Sequence, residues 1–122
     1  MPVLHVSDVE AGAAAFAQSF GFAPAGFWRD EDGTARFSIL RLGDVTLALQ
    51  RAETVTPATG WAAYIYVDDV AALHELATAQ GAPVTAPQDR FYGCREIEFT
   101  DPDGNVVCFA QDLDPGPEGP GL

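Results

Sequence analysis

Two stretches of this chain carry one pattern. His5-Val6-Ser7-Asp8-Val9 matches Tyr66-Val67-Asp68-Asp69-Val70. Each closes an apolar strand, supplies a polar cap and opens a helix. The order beyond each helix repeats as well, with three further extended segments in both halves. Repetition on this scale means one supersecondary unit used twice. The chain therefore reads as α+β, with two strand–helix–strand–strand–strand modules.

In the first module, Pro2 to Val6 is a short apolar strand, and Ser7 or Asp8 caps a helix from Val9 to about Phe20. Val9, Ala13, Phe16 and Phe20 recur at helical spacing and form its buried stripe. Gly21 ends it. Strands are expected at Phe22–Arg29, Thr34–Leu42 and Val45–Arg51, with turns at Asp30-Glu31-Asp32-Gly33 and Gly43-Asp44. Module one thus covers about residues 1–52. Residues 53–60, which include Pro57 and Gly60, form a linker.

Module two covers residues 61–112. Trp61 to Val67 is its first strand, and Asp68-Asp69 caps a helix from Val70 to about Gln80. Val70, Leu73, Leu76 and Ala77 are expected to be buried, and Gly81 ends the helix. A short strand is expected within Ala82–Pro87, followed by a loop at Gln88–Gly93. Arg95 to Thr100 alternates, with Ile97 and Phe99 on one side and Glu96, Glu98 and Thr100 on the other. Asp101-Pro102-Asp103-Gly104-Asn105 is turn chemistry, and Val106 to Ala110 returns as a β-rich strand. Residues 113–122, acidic and rich in Pro and Gly, are expected to be a disordered tail.

A four-stranded sheet covered by one helix leaves its other face bare. Two such sheets, or two chains, must enclose that face. The enclosed volume is the natural place for a ligand. Strand parity puts Tyr64 and Tyr66 with Ala62 on that face, and Trp61, Ala63, Ile65 and Val67 against the helix. Phe37, Ile39 and Arg41 share one face of their strand, and Thr46, Ala48 and Gln50 share one face of theirs. The hydroxyls of Tyr64 and Tyr66 need partners, which favours a wet cavity. Trp28 lies beside an acidic turn, where it serves either as a rim stacker or as a strand residue. Arg95-Glu96 and Asp101/Asp103 look like a catalytic cluster, but hairpin and salt-bridge structure explains them fully.

Charge narrows the partners. The formal net charge is −12, and all 6 cationic side chains are Arg. Such a field repels phosphate backbones and attracts small cations, besides aiding solubility. Nucleic acid and membrane are therefore not expected as partners. The apolar runs fall short of the ~18 residues that span a bilayer. The first residues lack the basic-then-apolar layout of a signal peptide, so a cytoplasmic location is expected. Cys94 and Cys108 are the two cysteines, with no metal-binding spacing, and are expected as free thiols.

From residue 1 to about 112 the chain resembles the glyoxalase/bleomycin-resistance/dioxygenase, or vicinal oxygen chelate, superfamily. The resemblance is carried by the two strand-then-Asp openings, by Phe16, Phe20-Gly21-Phe22, by Gly93-Cys94-Arg95-Glu96, and by Asp101-Pro102-Asp103-Gly104-Asn105. It implies paired βαβββ modules with cupped mixed sheets, assembled as a homodimer with clefts between modules of different chains. It also implies that metal-dependent members carry ligands at the places of Met1, Ala48, Ala62 and Cys108. That set does not suit a divalent cation, so neither cofactor nor catalysis is expected. His5, on the same face as Met1 and Val3, is a cavity liner rather than a ligand.

The resemblance is closer to the bleomycin-resistance-type binding proteins. It implies sequestration of an aromatic, cationic antibiotic or metabolite, with no chemical change. The ligand-binding residues expected are His5, Trp28, Phe37, Ile39, Ala48, Gln50, Tyr64, Tyr66, Tyr92 and Cys108. The alternative is a metal-dependent lyase, isomerase or dioxygenase of the same superfamily with unusual ligands.

Overall fold

The computed structural model describes residues 1–57 and 59–121. The first module comprises β1 (Val3–Val6), α1 (Val9–Phe20), β2 (Ala23–Arg29), β3 (Ala35–Leu42) and β4 (Val45–Arg51). The second comprises β5 (Trp61–Tyr66), α2 (Val70–Ala79), β6 (Gln88–Asp89), β7 (Cys94–Thr100) and β8 (Val106–Asp112). Each module forms a four-stranded mixed sheet. Their strand orders are β1-β4-β3-β2 and β5-β8-β7-β6, so the second repeats the first. In each, the strand before the helix runs parallel to the module's last strand, and the other pairs are antiparallel.

The helices start where their caps dictate. Asp8 accepts the N–H of Ala11, and Asp69 accepts that of Ala72, each at 3.0 Å. Gly21 closes α1 with φ 85°, a left-handed conformation that glycine adopts without cost, and its N–H reaches Ala17 O. Gly12 lets α1 approach its sheet closely: a Cβ there would lie 3.1 Å from Leu49 Cδ1.

α1 packs on β3 and β4, α2 packs on β7 and β8, and the two helices pack on each other. The modules consequently share one core rather than having one each. Phe16, Phe20 and Phe22 from module one meet Phe99 and Phe109 from module two, and all five are buried. Phe16–Phe99 and Phe20–Phe99 are edge-to-face at 5.2 and 5.1 Å, and Phe20–Phe109 is tilted at 4.8 Å. Burying each ring is worth about 1.5–3 kcal/mol. Each pair adds roughly 0.5–1.5 kcal/mol for its geometry.

The Asp101–Asn105 turn holds the modules together. Asp101 accepts the backbone N–H groups of Asp103 and Asn105, and the Asn105 side-chain amide. That amide also donates to His5 O at 2.9 Å, and Asp103 accepts the N–H of Ser7 at 3.0 Å. Both bonds reach the strand end that opens module one. Burial pushes the Asp101 carboxyl above its usual range, against the opposing pull of its bonds to Asn105. A turn therefore does account for these acidic residues.

Three local expectations are corrected. The segment before β7 forms no continuous strand. Val84 makes one bridge to Phe99, flanked by Thr85 N to Glu98 O and Thr100 N to Pro83 O. Pro83 and Pro87 have no N–H to extend a ladder, so regular pairing resumes only at β6, whose Gln88 and Asp89 pair with β7 although they fall in the stretch expected as a loop. Leu76 is half-exposed rather than buried. It lies in a groove between α2 and the β3–β4 turn, beside Leu42 and Val45. Trp61 does not face the helix. A register shift between Trp61 and Ala63 turns it to the opposite face of the sheet.

Residues 113–121 carry a bridge between Gly116 and Gly119. Gly121 donates its N–H to Asp112 and lies beside the Tyr66 ring. The end of the expected tail, residue 122, lies outside the described residues. No helix among the described residues is long and apolar enough to cross a membrane.

Candidate ligand-binding faces

On the helix-free face of the first sheet, register lines up His5, Gln50, Phe37 and Trp28 across four strands. A second row holds Val3, Ala48 and Ile39. Trp28 and Phe37 meet edge-to-face at 5.5 Å. Ala48 has no exposed surface and forms a floor beneath larger neighbours.

On the helix-free face of the second sheet, Tyr64 pairs with Cys108, which pairs with Glu98. The next row holds Tyr66, Ala110, Glu96 and Gln88. Cys108 and Ala110 are fully buried under the tyrosine rings. Burial also pushes the Cys108 thiol up to about 12, so it is neutral near pH 7. Trp61, Tyr64 and Tyr66 follow one another along β5, at 4.9 and 5.4 Å between successive ring centroids.

Glu96 organises this face. Its side chain is buried, yet every oxygen has a partner. Arg90 Nε donates to Oε1 at 3.0 Å, Tyr64 donates to Oε2 at 2.7 Å, and Tyr92 donates to the same oxygen. Burial acts to raise its pKa, but the bonds from Tyr92, Tyr64 and Arg90 outweigh it and hold the carboxyl below its usual range. The tyrosines move the other way. Burial and then the bond to Glu96 raise Tyr64 far above an ordinary phenol, and the bond to Glu96 pushes Tyr92 up to about 12. Arg95 is not part of this group; it pairs with Asp89.

The expected site residues therefore fall into two sets. His5, Trp28, Phe37, Ile39, Ala48 and Gln50 share the first sheet. Tyr64, Tyr66 and Cys108 share the second, with Tyr92 beside it through Glu96. Trp28 is 54% exposed, Tyr92 47%, Trp61 42% and Tyr66 38%, so both faces present aromatic surface to solvent. A concavity of about 410 Å³ at the junction of the modules is lined by His5, Ala62, Asn105 and linker residues, and by none of these rings.

Trp61, Arg90, Glu96 and Glu98 were not foreseen as part of this surface. Parity alone would have placed Glu96 and Glu98 there, since they alternate with the core residues Ile97 and Phe99. The bulge that turns Trp61 over has no signature in the sequence.

The places that resemble metal-ligand positions do not form a donor set. Ala48 and Ala62 have no side-chain donor, and the Cys108 thiol is protonated and buried. Among the described residues, no three His, Cys, Asp or Glu side chains are grouped to hold a metal ion.

Residues 2–109 match the model of the Glyoxalase/Bleomycin resistance protein/Dioxygenase superfamily. The chain belongs to that superfamily. No curated protein matches it in sequence. Among solved structures, it resembles a bleomycin-binding protein from bleomycin-producing Streptomyces verticillus, complexed with copper(II)-bleomycin. The identity is 30% over 88% of this chain and 90% of that one, with a TM-score of 0.69. A bleomycin-binding protein complexed with bleomycin is 23% identical over 91% and 95% of the chains, with a TM-score of 0.75. A glyoxalase-related enzyme from Clostridium phytofermentans is 19% identical over 91% and 92%, with a TM-score of 0.77. The last two share the fold; their identities carry nothing further.

Proposed function

We propose that this protein binds and sequesters an aromatic, cationic small molecule, an antibiotic or metabolite, without altering it chemically. The observation that carries this reading is the pair of aromatic, helix-free sheet faces open to solvent. A chain that needed its aromatics only for stability would have them in the shared Phe core. Here Trp28 and Phe37 lie on one bare sheet face, and Trp61, Tyr64 and Tyr66 lie on the other. The net charge of −12 favours encounter with a cation. The likeness to the bleomycin-binding protein of Streptomyces verticillus supports the same ligand class.

Two bare faces on one chain also favour a homodimer. In it, the first sheet of one protomer and the second sheet of its partner form the walls of each cleft. His5, Phe37, Ile39 and Gln50 then face Tyr64, Tyr66 and Tyr92 across the ligand, with Trp28 at the rim and Ala48 and Cys108 as floor.

The test is a tryptophan and tyrosine fluorescence titration with bleomycin and a panel of other cationic aromatic compounds. Saturable quenching by at least one, with the compound recovered unchanged in mass, is the expected result. No saturable quenching across the panel, or a chemically altered compound, overturns the reading.

A further inference from the structure

The second sheet carries a feature that sequence parity hides. Turned over by the bulge, Trp61 donates its indole N–H to Glu98 Oε2 at 2.6 Å. Its ring lies 4.9 Å from Tyr64 at an interplanar angle of 45°. Glu98 is one strand removed from Tyr64, with the buried Cys108 between them. Small side chains at Cys108 and Ala110 keep the floor low, so the rings and the carboxylate stand above it.

The polarity around Trp61, Tyr64 and Glu98 is one-sided. Tyr64 and Tyr92 both commit their hydroxyl hydrogens to Glu96. Toward a ligand they offer ring faces and oxygen lone pairs, and no hydrogen. Trp61 has likewise committed its N–H. Arg90 is held by Glu96, whereas Glu98 makes no salt bridge among the described residues. Asp112 adds a third carboxylate on the same strand face as Cys108 and Ala110. A negative carboxylate beside the Trp61 and Tyr64 rings, whose N–H and O–H are already bonded to Glu98 and Glu96, complements a flat, positively charged group that donates hydrogen bonds. It opposes a flat anion or a ring that only accepts.

We propose that Trp61 and Glu98 form a subsite for a planar organic cation, such as a protonated heteroaromatic or an aryl amidine. Trp61 and Tyr64 supply the stacking surface, and Glu98 supplies the counter-charge, aimed by the indole N–H. This assignment rests on the small-molecule-binding reading above and specifies which part of the ligand enters the second sheet.

Proflavine, a planar tricyclic cation, and anthracene-2-sulfonate, a planar anion of similar area, are suitable probes, with bleomycin as a third ligand. Equilibrium dialysis with the full chain is expected to show saturable binding of proflavine and none of the sulfonate. Glu98→Gln keeps an acceptor for the indole while removing the charge. It is expected to weaken proflavine about 5- to 20-fold, with the loss shrinking as salt is raised. Trp61→Ala is expected to weaken it by about tenfold or more, and Trp61→Phe by less, since a ring remains. Circular dichroism identifies any variant that fails to fold, and Glu98→Gln is mild enough to keep the test decisive. Wild-type protein that binds bleomycin but not proflavine, or that binds proflavine equally well after Glu98→Gln and Trp61→Phe, overturns the subsite and leaves the general reading standing. Failure to bind any cationic aromatic overturns both.

Discussion

Tyr64 on β5 donates its hydroxyl to Glu96 Oε2 on β7 across 2.7 Å, spanning the intervening strand β8. Tyr92 shares that oxygen and Arg90 takes the other. One buried carboxylate therefore fixes three side chains on a face that is otherwise open. Glu96→Ala removes the common acceptor. Hydrogen bonds to charged groups are worth about 1.5–3 kcal/mol, so a loss of about 2–4 kcal/mol is expected in urea unfolding. Glu96→Gln, which can satisfy only part of the set, is expected to fall between Ala and the native residue.

The same group sets a pH dependence. The folded state lowers the Glu96 pKa below its ordinary 4.5, so its contribution is present above that value and is lost as pH falls through it. The stability advantage of the native protein over Glu96→Gln is expected to shrink below about pH 4.5. At the alkaline end, Tyr64, Tyr66 and Tyr92 all titrate above the ordinary 10.0. Their contribution is complete below pH 10 and is lost as pH rises beyond it. Absorbance at 295 nm is expected to place the Tyr92 step at about 12 in the folded protein, and the Tyr64 step well above the ordinary phenol range. A Tyr64 or Tyr92 step near 10, identified by its loss in Tyr64→Phe or Tyr92→Phe and appearing without unfolding, would contradict the hydrogen bonds to Glu96.

Phe20 touches Phe22 of its own module and Phe99 and Phe109 of the other. Phe20→Ala is expected to cost about 3–5 kcal/mol. Because the core is shared, both modules are expected to unfold in one transition, with coincident tryptophan fluorescence and circular dichroism curves. Two separated transitions would show that each module is stable alone.

Asn105 joins the β7–β8 turn to His5 O, and its amide is buried. Asn105→Ala leaves that carbonyl without its partner, at a cost of about 1–3 kcal/mol. Hydrogen exchange is expected to speed up at Ser7, whose N–H is held by Asp103 of the same turn, more than in the Phe core.

Most of the fold was legible because its signals are local. Asp8, Asp69 and Gly21 mark helix ends by their own chemistry, and Ile97 and Phe99 mark a strand face by alternation. The repeat of His5–Val9 in Tyr66–Val70 gave the module order. Less legible was anything that depends on a strand's exact register. One bulge after Trp61 moved a tryptophan from the helix side to the open face, and Pro83 and Pro87 cut an expected strand to a bridge. Of the proposed binding surface, Phe37, Tyr64 and Tyr66 could be read from parity. The convergence of Arg90, Tyr64 and Tyr92 on Glu96 could not, because it joins a loop, β5 and β7 in three dimensions.

Calorimetric titration of bleomycin into the native protein, Phe37→Ala and Tyr64→Ala tests the aromatic-face reading most directly, since the two variants lie on different sheets. The expected result is saturable heat for the native chain, weakened about tenfold by either substitution. No saturable heat from bleomycin or from any other cationic aromatic compound, or heat that both variants leave unchanged, would contradict it.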